Sequence, residues 1–108
     1  MKLIIAIVNS DDANKVQGAL TKNGFFVTKL STSGGFLKKG NVTFFVGTEE
    51  EKVEKALSII QANSKKRIAK DYATASNEIG DFFNPVAIDV IVGGATVFVL
   101  DVEQFEKF

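Results

Sequence analysis

Apolar and polar positions along this chain follow two different periods, and the places where the period changes mark out its elements. Residues 3–8 are a continuous apolar run carrying Ile4, Ile5, Ile7 and Val8, the pattern of a strand buried on both faces. Asn9, Ser10 and Asp11 end it, and Asp11 or Asp12 is placed to cap a following helix by accepting from an orphan backbone N–H. In that helix Ala13, Val16 and Leu20 share one apolar stripe, with Lys15, Gln17 and Lys22 outside it. Asn23 and Gly24 stop the helix, because glycine takes the left-handed conformation needed just past a last turn. Residues 25–30 and 42–46, aromatic and β-branched, read as the second and third strands.

Thr48 and Glu51 have the spacing of a capping box, and Glu49 and Glu50 add negative charge at the positive end of a helix dipole. Val53, Ala56, Leu57 and Ile60 then mark an amphipathic helix that runs to about Asn63. Ser64, Lys65, Lys66 and Arg67 read most simply as its close, with cations near the carbonyl end, and less readily as a binding patch. Residues 68–85 show no periodicity and read as a long loop, and loops of that length in a compact domain are seldom plain connections. Val86, Ile88, Val90 and Val92 alternate with Ala87, Asp89 and Ile91 as a fourth strand. Gly93-Gly94 fits a two-residue hairpin turn, and residues 95–100 return as a fifth strand. Residues 101–108 form a short tail of a helical turn or two, with Phe105 and Phe108 able to dock.

The order strand, helix, strand, strand, helix, strand predicts an α+β, ferredoxin-like βαββαβ fold. It is an antiparallel sheet with two helices on one face and an added C-terminal hairpin strand. No repeat or linker divides the chain, so residues 1–108 form a single domain. Two helices cover one face of such a sheet and leave the other bare. Burying that face between subunits is the economical solution, which predicts a cyclic oligomer.

Composition narrows the function. The 13 basic and 13 acidic residues of the 108 cancel, which argues against binding a nucleic acid polymer through bulk charge. Cysteine and histidine are both absent, which removes thiol chemistry, thiolate metal sites and the commonest general base and metal ligand. The chain is therefore expected to be no enzyme and to hold no metal or cofactor. The opening apolar run is too short for a signal peptide or a membrane span, so a cytoplasmic protein with no membrane partner is expected.

The chemistry that remains gathers in residues 28–47, TKLSTSGGFLKKGNVTFFVG. Between the flanking strands lie small hydroxyls, Gly34 and Gly35, the apolar pair Phe36 and Leu37, and then Lys38, Lys39, Gly40 and Asn41. Consecutive backbone N–H groups beside glycine can form an anion-holding nest, although no Walker spacing is present. Glycine and serine also build ordinary connections, but an apolar pair at a loop tip needs a partner. Lys29, Lys38 and Lys39 supply cations, each of which a solvated loop also explains. Helix capping accounts for Glu49, Glu50 and Glu51, and no nucleophile accompanies Asp81 or Asp89. Catalysis has no anchor.

The segments KLIIAIV, TKL followed by GGFLKKGNVTF and VG, and VGGATVFVL closely resemble the PII-like cyclic di-AMP receptor proteins of Gram-positive bacteria. The likeness covers residue 1 to about 63 and residues 86–108. It implies a ferredoxin-like subunit assembled as a homotrimer, with one cyclic di-AMP in each cleft between subunits. It also implies a non-enzymatic signal transducer that passes occupancy through its loops to a downstream protein. Carried onto matching positions, the contacts fall to Thr28, Gly35, Phe36, Leu37, Asn41, Gly47 and Phe98. Thr28 offers a hydroxyl on a strand, Phe36 can stack on adenine, and Asn41 supplies both a donor and an acceptor.

Gly24 and Phe26 stand where some relatives carry Asn and Arg, and Lys107 where a Gln occurs. Residues 68–85 lack the Pro-rich, Tyr-containing pattern of the family. The missing Arg either weakens binding or leaves Lys29 and Lys38 to meet the phosphates. The competing reading is a protein-interaction scaffold of the same fold, docking a partner through Phe36 and Leu37 without nucleotide.

Overall fold

The chain runs through β1 (Lys2–Asn9), α1 (Ser10–Lys22), β2 (Val27–Leu30) and β3 (Asn41–Thr48). A 3-10 turn, Glu50–Lys52, leads into α2 (Val53–Asn63), followed by β4 (Arg67–Ala73), β5 (Val86–Val92) and β6 (Ala95–Asp101). The computed structural model describes residues 1–30, 40–73 and 86–108. Four strands form one antiparallel sheet in the order β2-β3-β1-β6. This is the expected α+β, ferredoxin-like arrangement, with both helices on one face.

Register decides which residues meet the helices. Ile4, Ala6 and Val8 of β1 lie opposite Val46, Phe44 and Val42 of β3. With Val16 and Leu20 of α1 and Ala56 and Ile60 of α2, Ile4, Ala6, Val8, Phe44 and Val46 make the core. Leu3, Ile5 and Ile7 take the other face and are only half-buried. The opening apolar run is thus not buried on both faces within one chain.

The helix ends show what sequence spacing alone resolves poorly. Asn9, at φ −64° and ψ 142°, caps α1 by accepting from the Asp11 N–H at 2.8 Å, in place of Asp11 or Asp12. The reason lies in β1, which stays extended through Asn9 and so fixes the cap earlier. The other end of α1 is as expected. Gly24 has φ +86°, its N–H donates to Thr21 O at 3.0 Å, and the Phe25 N–H donates to Leu20 O at 3.0 Å. Thr48 makes no capping box. It is the buried last residue of β3, and the 3-10 turn carries the chain into α2 with no side-chain cap.

The largest departure concerns the strands after α2. Residues 67–73, within the stretch read as helix close and loop, form β4, which pairs with β5 in a separate two-stranded arm. β5 does not turn back onto β6. Instead β6 is the fourth strand of the main sheet, running beside β1 from Lys2↔Asp101 to Val8↔Ala95. Gly93 and Gly94 do have positive φ, +84° and +81°, but they redirect the chain from the arm to the body.

The base of the arm is fixed by polar contacts. The Gly94 N–H donates to Ser64 O, and Arg67 meets Asp12 through both nitrogens, Nη2–Oδ1 at 3.0 Å and Nη1–Oδ2 at 3.2 Å. Asp12 is only 3% exposed, so this fork satisfies a carboxylate that water does not reach. The hydrogen bond to Asp12 raises the Arg67 guanidinium above its ordinary range. At the far end of the sheet Lys2 pairs with Asp101, and that hydrogen bond lowers the Asp101 carboxyl below its usual value. Residues 102–108 form no helix, and Phe105 and Phe108 stay exposed instead of docking on their own chain.

Candidate ligand-binding face

Strand alternation sorts the expected site residues. On β3, Asn41, Thr43, Phe45 and Gly47 alternate with the core-facing Val42, Phe44 and Val46. The same parity selects Thr28 and Leu30 on β2, Leu3, Ile5 and Ile7 on β1, and Thr96, Phe98 and Leu100 on β6. Thr28, Asn41, Gly47 and Phe98 therefore all lie on the helix-free face. Gly35, Phe36 and Leu37 lie outside the described residues.

One row crosses the whole sheet. Thr28 stands opposite Phe45, Phe45 opposite Ile5, and Ile5 opposite Phe98. Thr28 and Phe98 thus sit on the two edges of one sheet. Three strand intervals separate them, roughly 14 Å, well beyond the range at which rings stack or hydroxyls bond. The floor between them is apolar, and Leu30, Phe98 and Leu100 are 36%, 52% and 45% exposed. A face this apolar is unusual for an isolated subunit.

Lys29 is not available to this face. It stands opposite the buried Phe44 and so alternates with Thr28 toward the helix side. Lys38 lies outside the described residues. Phe26, where the resemblance expects an Arg in some relatives, is 87% exposed at the same edge.

Sequence reading passed over Thr43, which sits on this face between Asn41 and Phe45. It is only 3% exposed and its Oγ1 has no hydrogen-bond partner among the described residues. Nothing in the sequence flags it, because threonine is ordinary strand material. An unpaired buried hydroxyl costs about 1–3 kcal/mol. Thr43→Val, which keeps the shape and removes the hydroxyl, is expected to raise the melting temperature of the ligand-free protein by roughly 4–8 °C. Differential scanning calorimetry checks this, and a fall in melting temperature would mean that the hydroxyl is already satisfied.

Beside Asn41 a polar groove of about 420 Å³ opens at the end of the sheet, where Ile7, Asn9, Gly40 and Thr96 meet Lys66 and the Gly93-Gly94 link. That size suits a small organic ligand. Among the described residues no group of three or more acidic side chains is placed to hold a metal ion. No helix among them is long and apolar enough to cross a membrane.

The model of a protein family described as cyclic-di-AMP receptor matches residues 1–108, the whole chain. The chain belongs to the cyclic-di-AMP receptor family. This is the PII-like receptor family that the Gly-Gly-Phe-Leu and Gly-Gly-Ala-Thr motifs resemble. A crystal structure of a functionally unknown protein from Pediococcus pentosaceus ATCC 25745 is also similar. It is 44% identical with a TM-score of 0.71, over 99% of this chain and 96% of that one. A receptor family implies a binding role, in keeping with a chain that has neither His nor Cys.

Proposed function

We propose that the protein is a cytoplasmic signal-transduction receptor that binds cyclic di-AMP in clefts between the subunits of a homotrimer. Membership of the receptor family supports the ligand. The observation that carries the cleft is the row from Thr28 to Phe98, which sets two contact residues on opposite edges of one sheet. A base stacked on Phe98 is out of reach of Thr28 in the same subunit. Head-to-tail assembly brings the β6 edge of one copy to the β2 edge of the next and completes the contact set. It also covers the apolar face.

In each cleft Thr28 and Asn41 hydrogen-bond the ligand, Gly47 lets it approach the backbone, and the rings of Phe98 and Phe36 stack on its bases. Gly35 and Leu37 contribute backbone contacts from the neighbouring loop. The protein works by occupancy without turnover, and its ligand is the signal that a downstream protein reads.

Titration calorimetry with cyclic di-AMP, paired with sedimentation equilibrium, tests this. Saturable heat with one ligand per subunit and a mass of three chains is the expected result. No heat at high micromolar ligand would overturn the receptor reading. A partner captured equally with and without nucleotide would put the scaffold reading in its place.

A further inference from the structure

The contact residues carried over by resemblance share a gap. Thr28, Gly35, Phe36, Leu37, Asn41, Gly47 and Phe98 are all uncharged, whereas cyclic di-AMP carries two phosphodiester anions. Taking an anion out of water without a cation or several donors is costly. Phe26 cannot supply the charge, and Lys29 faces the other side of the sheet. Lys38 and Lys39 lie outside the described residues, and among the described residues another cation stands beside Asn41.

Lys66 occupies the place where that cation is needed. It lines the polar groove that contains Asn41, and among the described residues no carboxylate lines that groove. Arg67, the next residue, is committed to Asp12, whereas Lys66 has no ion pair among the described residues. Its stem is seated on Gly94, with Cγ and Cε only 2.9 and 3.2 Å from where a Cβ at that position would stand. A glycine at 94 is what lets the stem lie there, leaving the ammonium group as the long, adaptable end that a phosphate oxygen requires.

The opposite end of the face offers a rival. Lys52 and Lys55 line a hollow with Gly47 and Phe26, but Glu49 lines it too, and Glu50 and Glu51 follow directly. That acidic run opposes an anion where the Asn41 groove does not.

We propose that Lys66 is the phosphate-binding cation of the cyclic-dinucleotide site, positioned by Gly94 at the base of the arm. This rests on the receptor reading above and assigns it a residue outside the motif that suggested it. It also ties ligand charge to the link between body and arm, since Lys66 lies between α2 and β4.

The test is calorimetry with cyclic di-AMP at low and high sodium chloride on the full chain and on Lys66→Ala, Lys66→Arg and Lys65→Ala. Lys65→Ala is the matched control, because Lys65 does not line the Asn41 groove. Lys66→Ala is expected to lose roughly 10-fold or more in affinity, the usual effect of a charge-assisted contact. Its remaining binding should depend less on salt, because one screened attraction is gone. Lys66→Arg should keep most of the affinity, and Lys65→Ala should match the unsubstituted protein. Equal affinity and equal salt dependence for Lys66→Ala and the unsubstituted protein would overturn the proposal while leaving the receptor reading intact. No binding by the unsubstituted protein would overturn both.

Discussion

Replacing Thr28 by Val and Phe98 by Ala together is expected to weaken cyclic di-AMP binding by roughly 10- to 2,000-fold. Loss of base stacking accounts for about 1–3 kcal/mol and loss of a hydroxyl contact for about 0.5–1.5 kcal/mol. Both residues are exposed, and valine is well suited to an edge strand, so the fold should be unaffected. The more decisive measurement uses the two single variants. Each alone should bind weakly, because every cleft in its trimer lacks one contact. Refolding the two as an equal mixture creates clefts that take Thr28 from one subunit and Phe98 from the other. About one cleft in four should then recover full affinity, by random assembly around a three-fold axis. A tight component of about that stoichiometry should appear in titration calorimetry of the mixture and in neither variant alone. Its absence from a verified mixed trimer would mean that both contacts come from the same subunit, which the spacing of the sheet opposes.

Much of the fold was legible because the central strands and helices carry their burial in their sequence. The alternation of Val42, Phe44 and Val46 and the helical stripe of Val53, Ala56 and Ile60 are imprints of a core that they do bury. β4 carries no such imprint. It pairs with β5 in a two-stranded ribbon outside the main sheet, so the core imposes no alternation on it. Gly93-Gly94 misled for a related reason. A positive φ at two successive glycines is what a tight hairpin requires, and the chain does bend there. Which strands then pair is decided by contacts far away in sequence, Gly94 to Ser64 and Arg67 to Asp12, and no local pattern reports them.

The candidate site divides in the same way. Asn41, Gly47, Thr28 and Phe98 were named from motifs, and strand parity places all of them on one face. Lys29 was named together with Lys38 to meet the phosphates; Lys38 lies outside the described residues, and Lys29 faces the other side of the sheet because adjacent residues on a strand alternate. Lys66 was set aside as the end of a helix. Its place beside Asn41 follows from the chain returning through Gly93-Gly94, a long-range consequence of the topology.

Gly93→Ala is expected to be the most damaging small substitution outside the core. A Cβ at this position would stand 2.5 Å from Lys65 O and 2.7 Å from Arg67 Nη1, distances that real Cβ atoms do not tolerate. Neither neighbour can yield cheaply. Lys65 O is backbone, and the Arg67 guanidinium is held in its fork with the buried Asp12 carboxylate. The backbone at Gly93 also has φ +84°, which by itself costs an alanine about 1 kcal/mol or more. Gly24→Ala isolates that conformational part, because Gly24 has φ +86° and nothing within 4 Å of its would-be Cβ. Gly24→Ala should therefore cost about 1 kcal/mol, and Gly93→Ala about 3 kcal/mol, the difference being overpacking against the arm base. In thermal denaturation these correspond to drops of roughly 4–8 °C and 12–24 °C. Relief of the clash requires the arm to swing away from α1, which would break the fork and leave Asp12 buried without its partner. Amide hydrogen exchange at Arg67 and Gly94 should accelerate in Gly93→Ala and stay unchanged in Gly24→Ala. Equal melting temperatures for the two variants would mean that the arm base yields freely, and the clamp between Asp12, Arg67 and Gly93 would then hold nothing in place.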